Sequence, residues 1–588
     1  MQHMKQLLLA ACITLSVGIA AYGYEGTAAK KLIHFGWSAP TTPDEILKTA
    51  PEEFNRNCPF DGIGISPVIT LKRGDGTVEY TMSQAAGDPQ MITKEDLQEW
   101  IPALKYLREN TLLKYNFIRL NCAVFNGNWF DDEVWQRTLN NFSLMAWLAK
   151  EAGFEGLCLD LEGYAATKRP FMFREELGHS FEETAAQVRK RGKEWIEEIN
   201  RQFPNLTLFT FVWSSYWCNT PLRAAHPETR YDGRDGLHIA FFNGVYDGAP
   251  EIMKIIDGQE SPGYFATMDM EYDRITANYY RFGNAWIDPA NRGKYRKITS
   301  MGLSLYLDRY KKSDKVTRYD RPHPHFPNLT TLLAHNVMNT LSYVDEYAWI
   351  WCERGTFWPN AEFNKYKPGV RKPFKSWNEQ IPYCIEAIRF GKDWAKGIPS
   401  LAGKNVVRNG SLEPGENAGD PGVNQEKSGI AQWSAWQASQ SPRGTITPEN
   451  GMVRFVNVTS GCLAQASVKK PQPGKKYIFT VRCKNESQVS RPRMGYTFRD
   501  ARTGWVLIGP QAEELDFRED GPDGWTRGTM LITVPDRRDL ELAALQITFG
   551  ASGKQDPAGK DKGILFDDAA LYEVEYPWEK EPDSTEDK

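Results

Sequence analysis

Long hydrophobic runs are almost absent from this chain of 588 residues. Beyond the N-terminus no stretch of roughly 18 apolar residues occurs, which excludes a spanning helix there. An excess of either charge is missing as well. With 71 Lys+Arg against 75 Asp+Glu the formal net charge is −4, so the basic footprint of a nucleic-acid binder is not present. Cysteine is sparse, nine residues with none in a CxxC or Cys/His ligand spacing, which argues against zinc. Cys58, Cys122 and Cys158 lie within or beside apolar runs and read as small core residues. Internal repeats and low-complexity tracts are also lacking. What the chain does have is rings: 12% aromatic, with 19 Trp, 25 Tyr and 29 Phe. Flat rings at a surface are how proteins hold the apolar faces of sugars, so their placement matters more than their number.

Residues 7–21 form an uncharged apolar stretch after Lys5 and end in Ala21-Tyr22-Gly23, a small-x-small cleavage pattern. Residues 1–23 therefore read as a signal peptide, and the mature chain is expected to be secreted or periplasmic. Leu9-Ala10-Ala11-Cys12 resembles a bacterial lipobox, but the apolar stretch before Cys12 is shorter than the ~7–15 residues such a region needs. Export permits disulfides, and Cys462 and Cys483 are the better candidates for one.

Between residues 24 and 400, short β-rich runs alternate with helical segments. The runs are 32–37, 62–68, 116–124, 156–161, 206–213, 237–242, 302–307 and 347–351. Apolar residues recur at three- and four-residue spacing over 94–109, 132–152, 182–202, 328–342 and 377–396. This is the pattern of an α/β fold, a (β/α)₈ TIM barrel. Residues 264–300 show no clean period. The stretch 408–427 is crowded with Gly, Pro, Asn and Glu, and beyond it strand-like runs at 452–458, 476–483, 529–534, 542–549 and 563–574 recur without helix. Residues 401–577 are thus expected to form an all-β jelly-roll sandwich, and 578–588 a charged, disordered tail.

In such a barrel the chemistry sits at the C-terminal ends of the strands. The fourth run is apolar up to its end and then places Asp160 and Glu162 two residues apart, followed by Gly163 and Tyr164. Strand alternation points both carboxyls the same way, and two buried carboxyls together raise one pKa, which suits a general acid for glycosidic bond cleavage. The segment from Glu155 to Glu162 resembles a degenerate form of the DGxDxDxE motif of chitinase-type glycoside hydrolases, with Glu155, Gly156, Asp160 and Glu162 on matching positions. The resemblance implies that Glu162 is the acid and Asp160 the substrate-orienting partner. Cys158 stands where the motif has its middle carboxylate, a departure that removes support for substrate-assisted chemistry on N-acetylated sugars.

The eighth run is aromatic and is followed by Glu353, a candidate nucleophile, base or substrate clamp, with Trp351 and Trp358 beside it. Asp308, after Tyr306 on the seventh, is the alternate partner. Trp37, Asn121, Tyr164, Trp213, Asn243, Tyr306 and Trp351 stand on or after run ends as candidate sugar contacts. Asp257-Gly258-Gln259-Glu260 reads as a loop following a helix.

The segment opening at Asn409-Gly410-Ser411-Leu412-Glu413 and closing with Phe566-Asp567-Asp568 resembles jelly-roll carbohydrate-binding modules of secreted bacterial hydrolases. That resemblance implies a structural calcium held by Glu413 and Asp567, an oxygen-rich site being apt for that ion. Trp433, Trp436, Trp505 and Trp525 are candidates for a sugar platform. Taken together the sequence points to a secreted glycosidase acting on a poly- or oligosaccharide with no catalytic cofactor. The alternative is a non-catalytic glycan-binding protein on a decayed barrel.

Overall fold

The computed structural model describes residues 30–73, 75–81, 91–122, 125, 127–163, 169–227, 236–311, 328–358, 374–395, 402–415, 426–438, 443–502, 506–512, 517–519, 523–536 and 541–579. Its first part is a ring of parallel strands. These are β1 Lys31–Gly36, β2 Gly62–Ile65, β3 Phe117–Asn121, β4 Gly156–Asp160, β5 Thr207–Thr210 and β6 Lys254–Asp257. They continue with β7, in two pieces Thr299–Met301 and Leu303–Tyr306, and β8 Tyr347–Cys352. The first piece of β7 pairs with β6 and the second with β8, which pairs with β1, so the chain at Gly302 completes the ring. The result is a parallel β/α barrel.

Alternation along the strands decides what fills it. Ile33, Phe35, Phe117, Cys158, Phe209, Ile256, Tyr347 and Trp349 form one buried cluster inside the ring. Their neighbours Leu32, Ile63, Ile118, Leu157, Leu208, Ile255, Leu303 and Ile350 face the helices. So many rings need room, and β2 supplies it: a Cβ on Gly64 would stand 2.1 Å from Phe35 Cδ1. Trp349 stacks on Phe211 with centroids 4.2 Å apart, and its Nε1 donates to the Gly258 carbonyl at 2.7 Å.

One strand is not where the sequence suggests. The run at 237–242 opens a helix, His238–Gly248, and the sixth strand is Lys254–Asp257. The reason is that this helix is buried on most of its surface, with Phe241, Phe242, Val245 and Tyr246 all inaccessible, so its apolar run carries no polar stripe. Gly244 lets it approach the helix Phe181–Gln202 closely, since a Cβ there would lie 1.9 Å from the Arg189 carbonyl oxygen.

The second part is an antiparallel β-sandwich. Its seven-stranded sheet is centred on Ile564–Val574 and Lys476–Asn485, and its six-stranded sheet on Ser460–Lys469, Leu542–Gly553 and Ser490–Asp500. Leu463, Phe479, Ile547, Phe549 and Phe566 pack between them. The eight described cysteines are all free thiols, so the Cys462–Cys483 bridge does not form. Cys483 points into the sandwich core from one sheet, whereas Cys462 alternates with core Leu463 on the other and faces outward.

The outer face of the seven-stranded sheet rests on the barrel. Ile478, Val574 and Tyr576 belong to the barrel's apolar cluster, and Tyr576 packs edge-on against Phe390. Trp578 Nε1 donates to Thr331 Oγ1 at 3.0 Å and that hydroxyl donates to Glu579 at 2.8 Å, so the start of the expected tail is tied down. The six-stranded sheet therefore turns its outer face to solvent. Among the described residues no helix is long and apolar enough to cross a membrane.

Candidate active site

At the C-terminal end of the ring, β3 turns Phe117, Arg119 and Asn121 inward and β4 turns Cys158 and Asp160 inward, with Asn121 paired in register to Asp160. The strand stops at Asp160, so alternation does not extend to Glu162. A turn places it instead: the Glu162 N–H donates to Asp160 Oδ1 at 3.0 Å, and Asn121 Nδ2 donates to the Glu162 carbonyl at 3.2 Å. Asp160 is buried and Glu162 half-buried. Beneath them burial pushes the Cys158 thiol well above its ordinary pKa, so the floor of the site is neutral where the chitinase-type motif carries a charge.

β8 lies four strands from β4 in either direction round the ring, so Glu353 stands across the mouth from Glu162. Tyr306 Oη donates to Glu353 Oε2 at 2.5 Å, and the Glu353 N–H donates to Asp308 Oδ2 at 2.9 Å. Asp308 is thus a brace for the Glu353 backbone. Burial raises its carboxyl's pKa, partly offset by the Glu353 N–H and by Lys311, 3.2 Å from Oδ1. Arg354 is 4.0 Å from Glu353 and two-thirds exposed, too loose to hold it as a structural pair. The Tyr306 hydroxyl is held protonated, by burial first and by its bond to Glu353 second.

Trp37 and Trp351 meet edge-to-face at 5.7 Å beside this site, and Trp37 is 43% exposed. Against the pair packs Arg119, its guanidinium carbon 5.1 Å from each ring centroid and its Nε donating to Ser66 Oγ at 2.9 Å. The sequence reading passed over Arg119. The signal was there, a charged side chain at an inward position between Phe117 and Asn121.

Two of the expected sugar contacts lie elsewhere. Trp213 is fully buried between the ring and the helices, tilted against Phe242 at 4.3 Å and donating to Tyr246 Oη at 2.9 Å. Asn243 belongs to the misassigned run, so it sits on the helix, where its Nδ2 donates to the Ile239 and Trp286 carbonyls and its Oδ1 accepts from the Asp288 N–H. Trp358 is buried too, against Phe54. Tyr164 lies outside the described residues.

Asp257, expected in a loop, ends β6 and faces outward into the helical layer. Its carboxylate accepts from Ser215 Oγ at 2.6 Å, the Ser215 N–H at 3.2 Å and Gln259 Nε2 at 3.2 Å. Burial nevertheless raises its pKa to about 6. Against an unfolded value near ~3.9 the folded chain binds this proton more tightly. The contribution to stability is therefore complete at low pH and declines as pH rises from ~4 to ~6, by ~3 kcal/mol in all. Asp257→Asn is expected to gain stability relative to the parent across that range, read from paired urea melts at pH 4 and pH 7. A difference that stays constant with pH contradicts the assignment.

In the sandwich the expected Trp platform separates. Trp433 is core, donating to the Asn409 carbonyl, while Trp525 lies against Arg482 on the seven-stranded sheet, and Trp505 falls outside the described residues. Trp436, 37% exposed, stands on the free face of the six-stranded sheet. Across that face the register runs Trp436, Cys462, Gly550, Arg493, and in the next row Ser434, Ala464, Thr548, Gly495, a floor of small side chains flanked by larger ones. Glu413 is exposed, its N–H bonded to Asn409 Oδ1. The Asp567 carboxyl accepts from the Asp568 N–H and lies in the field of Arg482 and Arg527, cations that oppose a calcium ion there. Among the described residues no three His, Cys, Asp or Glu converge as a metal site.

No family model matches the chain, and no curated protein matches it. Solved structures do match over part of it. A CBM4 module is 17% identical over 28% of this chain and 98% of its own, with a TM-score of 0.19. The CBM22-1 xylan-binding domain from Paenibacillus barcinonensis is 12% identical over 30% of this chain and 97% of its own, with a TM-score of 0.20. The xylan-binding module CBM15 is 12% identical over 24% of this chain and 90% of its own, with a TM-score of 0.18. The architecture is a parallel β/α barrel followed by an antiparallel β-sandwich.

Proposed function

We propose that the chain is an exported glycoside hydrolase whose barrel cleaves a poly- or oligosaccharide and whose sandwich holds the same glycan. The observation that carries this reading is that Glu162 just past β4 and Glu353 just past β8 follow strands four apart in the ring, beside the indoles of Trp37 and Trp351. Glu162 serves as general acid, protonating the glycosidic oxygen as the bond breaks. Asp160 positions it by fixing the turn through its N–H. Glu353, one oxygen held by Tyr306, presents the other as nucleophile or as base toward water. Glu353→Gln is the test: sugar release from a responsive glycan should fall at least about 100-fold. Unchanged turnover would remove Glu353 from the chemistry.

A second reading has its own observation. The neutral Cys158 under Asp160 fits a barrel that binds glycan without cleaving it, in which case calorimetry shows oligosaccharide binding and no reducing ends appear. For the sandwich, Trp436→Ala should weaken retention in a gel containing soluble glycan by about tenfold, the equivalent of ~1.4 kcal/mol for a lost ring contact. Retention equal to the parent's would rule out that face.

A further inference from the structure

We propose that Arg119 is an oxyanion clamp and that the glycan handled at the barrel mouth carries a negative charge, a sugar-borne carboxylate or sulfate. This rests on the reading of the mouth as a glycan site and narrows its substrate class.

The argument starts from what holds Arg119. Two other arginines of the barrel are held by carboxylates, half-buried Arg189 by Asp247 and Asp288 and buried Arg191 by Asp132 and Glu194, while Arg292 and Arg309 donate to backbone carbonyls. Arg119 is half-buried as well, but its hydrogen bond to a described residue goes from Nε to the neutral Ser66 hydroxyl, and it forms no ion pair with a described residue. A guanidinium cannot shed its charge near neutral pH, so a partly desolvated one needs compensation. Two indole faces provide some, at ~0.5–2 kcal/mol for a cation over a ring. With Nε bonded to Ser66 and both indoles packed on one side of the group, the edge carrying the two Nη atoms is left as a fork. That fork is the geometry that receives two oxygens of a carboxylate or sulfate at once.

Its surroundings set what kind of molecule brings that oxyanion. Trp37, which packs on the guanidinium, is 43% exposed and offers a surface for a sugar ring. The acids Asp160, Glu162 and Glu353 would repel an anion placed without a partner. An unpaired cation among them lets an acidic sugar bind in one orientation, with its charge on Arg119 and away from those carboxyls.

The test uses the full chain carrying Glu162→Gln, so that bound glycan is not turned over. Calorimetry at low salt compares hexuronic-acid oligosaccharides, the same oligosaccharides with carboxyls reduced to alcohols, sulfated galactan oligosaccharides, and the same galactans desulfated. The clamp predicts that Arg119→Met and Arg119→Lys each weaken binding of one charged series at least tenfold while binding of its uncharged counterpart does not change. The Lys variant keeps the charge and loses the fork. Whether the uronate or the sulfate series responds names the oxyanion. Thermal melts of both variants check folding, and Ser66→Ala, which frees Nε, gives the same selective loss if either unfolds. Equal effects on charged and neutral ligands, or no binding of any charged glycan, overturns the proposal. Cleavage of neutral glycans indifferent to Arg119 would sink the clamp and keep the hydrolase. Arg119-dependent binding with no cleavage by the parent would do the reverse.

Discussion

Glu162→Gln is expected to lower glycan hydrolysis by about 10²–10⁴-fold, the usual contribution of a positioned general acid. The amide has the same size and shape but no proton to give. Two bonds that hold this residue are to its backbone: its N–H on Asp160 and its carbonyl under Asn121. The substitution leaves both bonds intact, so the melting curve should stay within ~0.5 kcal/mol of the parent's, as for a change that touches no core or cap. The combination of lost turnover with retained fold and retained glycan binding is what separates a catalytic group from a structural one. Loss of binding together with turnover would instead make Glu162 a substrate contact.

The largest effect on stability is expected from Trp349→Ala, ~3–5 kcal/mol. Trp349 is fully buried at the centre of the ring, faces Phe211 at 8° and 4.2 Å, and meets Phe35 and Tyr264 at its edges. Truncation leaves a cavity whose walls come from different strands and cannot collapse together. It also strands the Gly258 carbonyl, which now accepts from the indole N–H at 2.7 Å. Urea unfolding monitored by near-ultraviolet circular dichroism measures this, with the midpoint shifting and the slope unchanged. A loss under ~1 kcal/mol would mean that the barrel interior relaxes freely, contrary to close packing.

How far the sequence led can be judged from particular strands. β4 was legible because its apolar residues run unbroken from Gly156 to an acid at the strand's end, between two turn-favouring glycines, Gly153 and Gly163. β6 was not, because the stretch Phe241-Phe242-Asn243-Gly244-Val245 is helix buried on most sides and carries no period of two, while the true strand is only Lys254–Asp257. That error displaced Asn243 and hid Asp257. The aromatic excess divided in a way that composition cannot show. Trp37 and Trp351 line the mouth, whereas Trp213, Trp349 and Trp358 are packing. Arg119 escaped because its setting is made by two indoles and a serine supplied by three other stretches of chain, Trp37, Ser66 and Trp351.

The central claim, that the carboxylates across this mouth cleave glycosidic bonds, is tested most directly by incubating the purified protein with a panel of neutral, uronate-bearing and sulfated polysaccharides and assaying new reducing ends. The account predicts release from at least one of them, strongest on a charged glycan and abolished in Glu162→Gln. Binding to a glycan with no reducing ends released by the parent protein would contradict it.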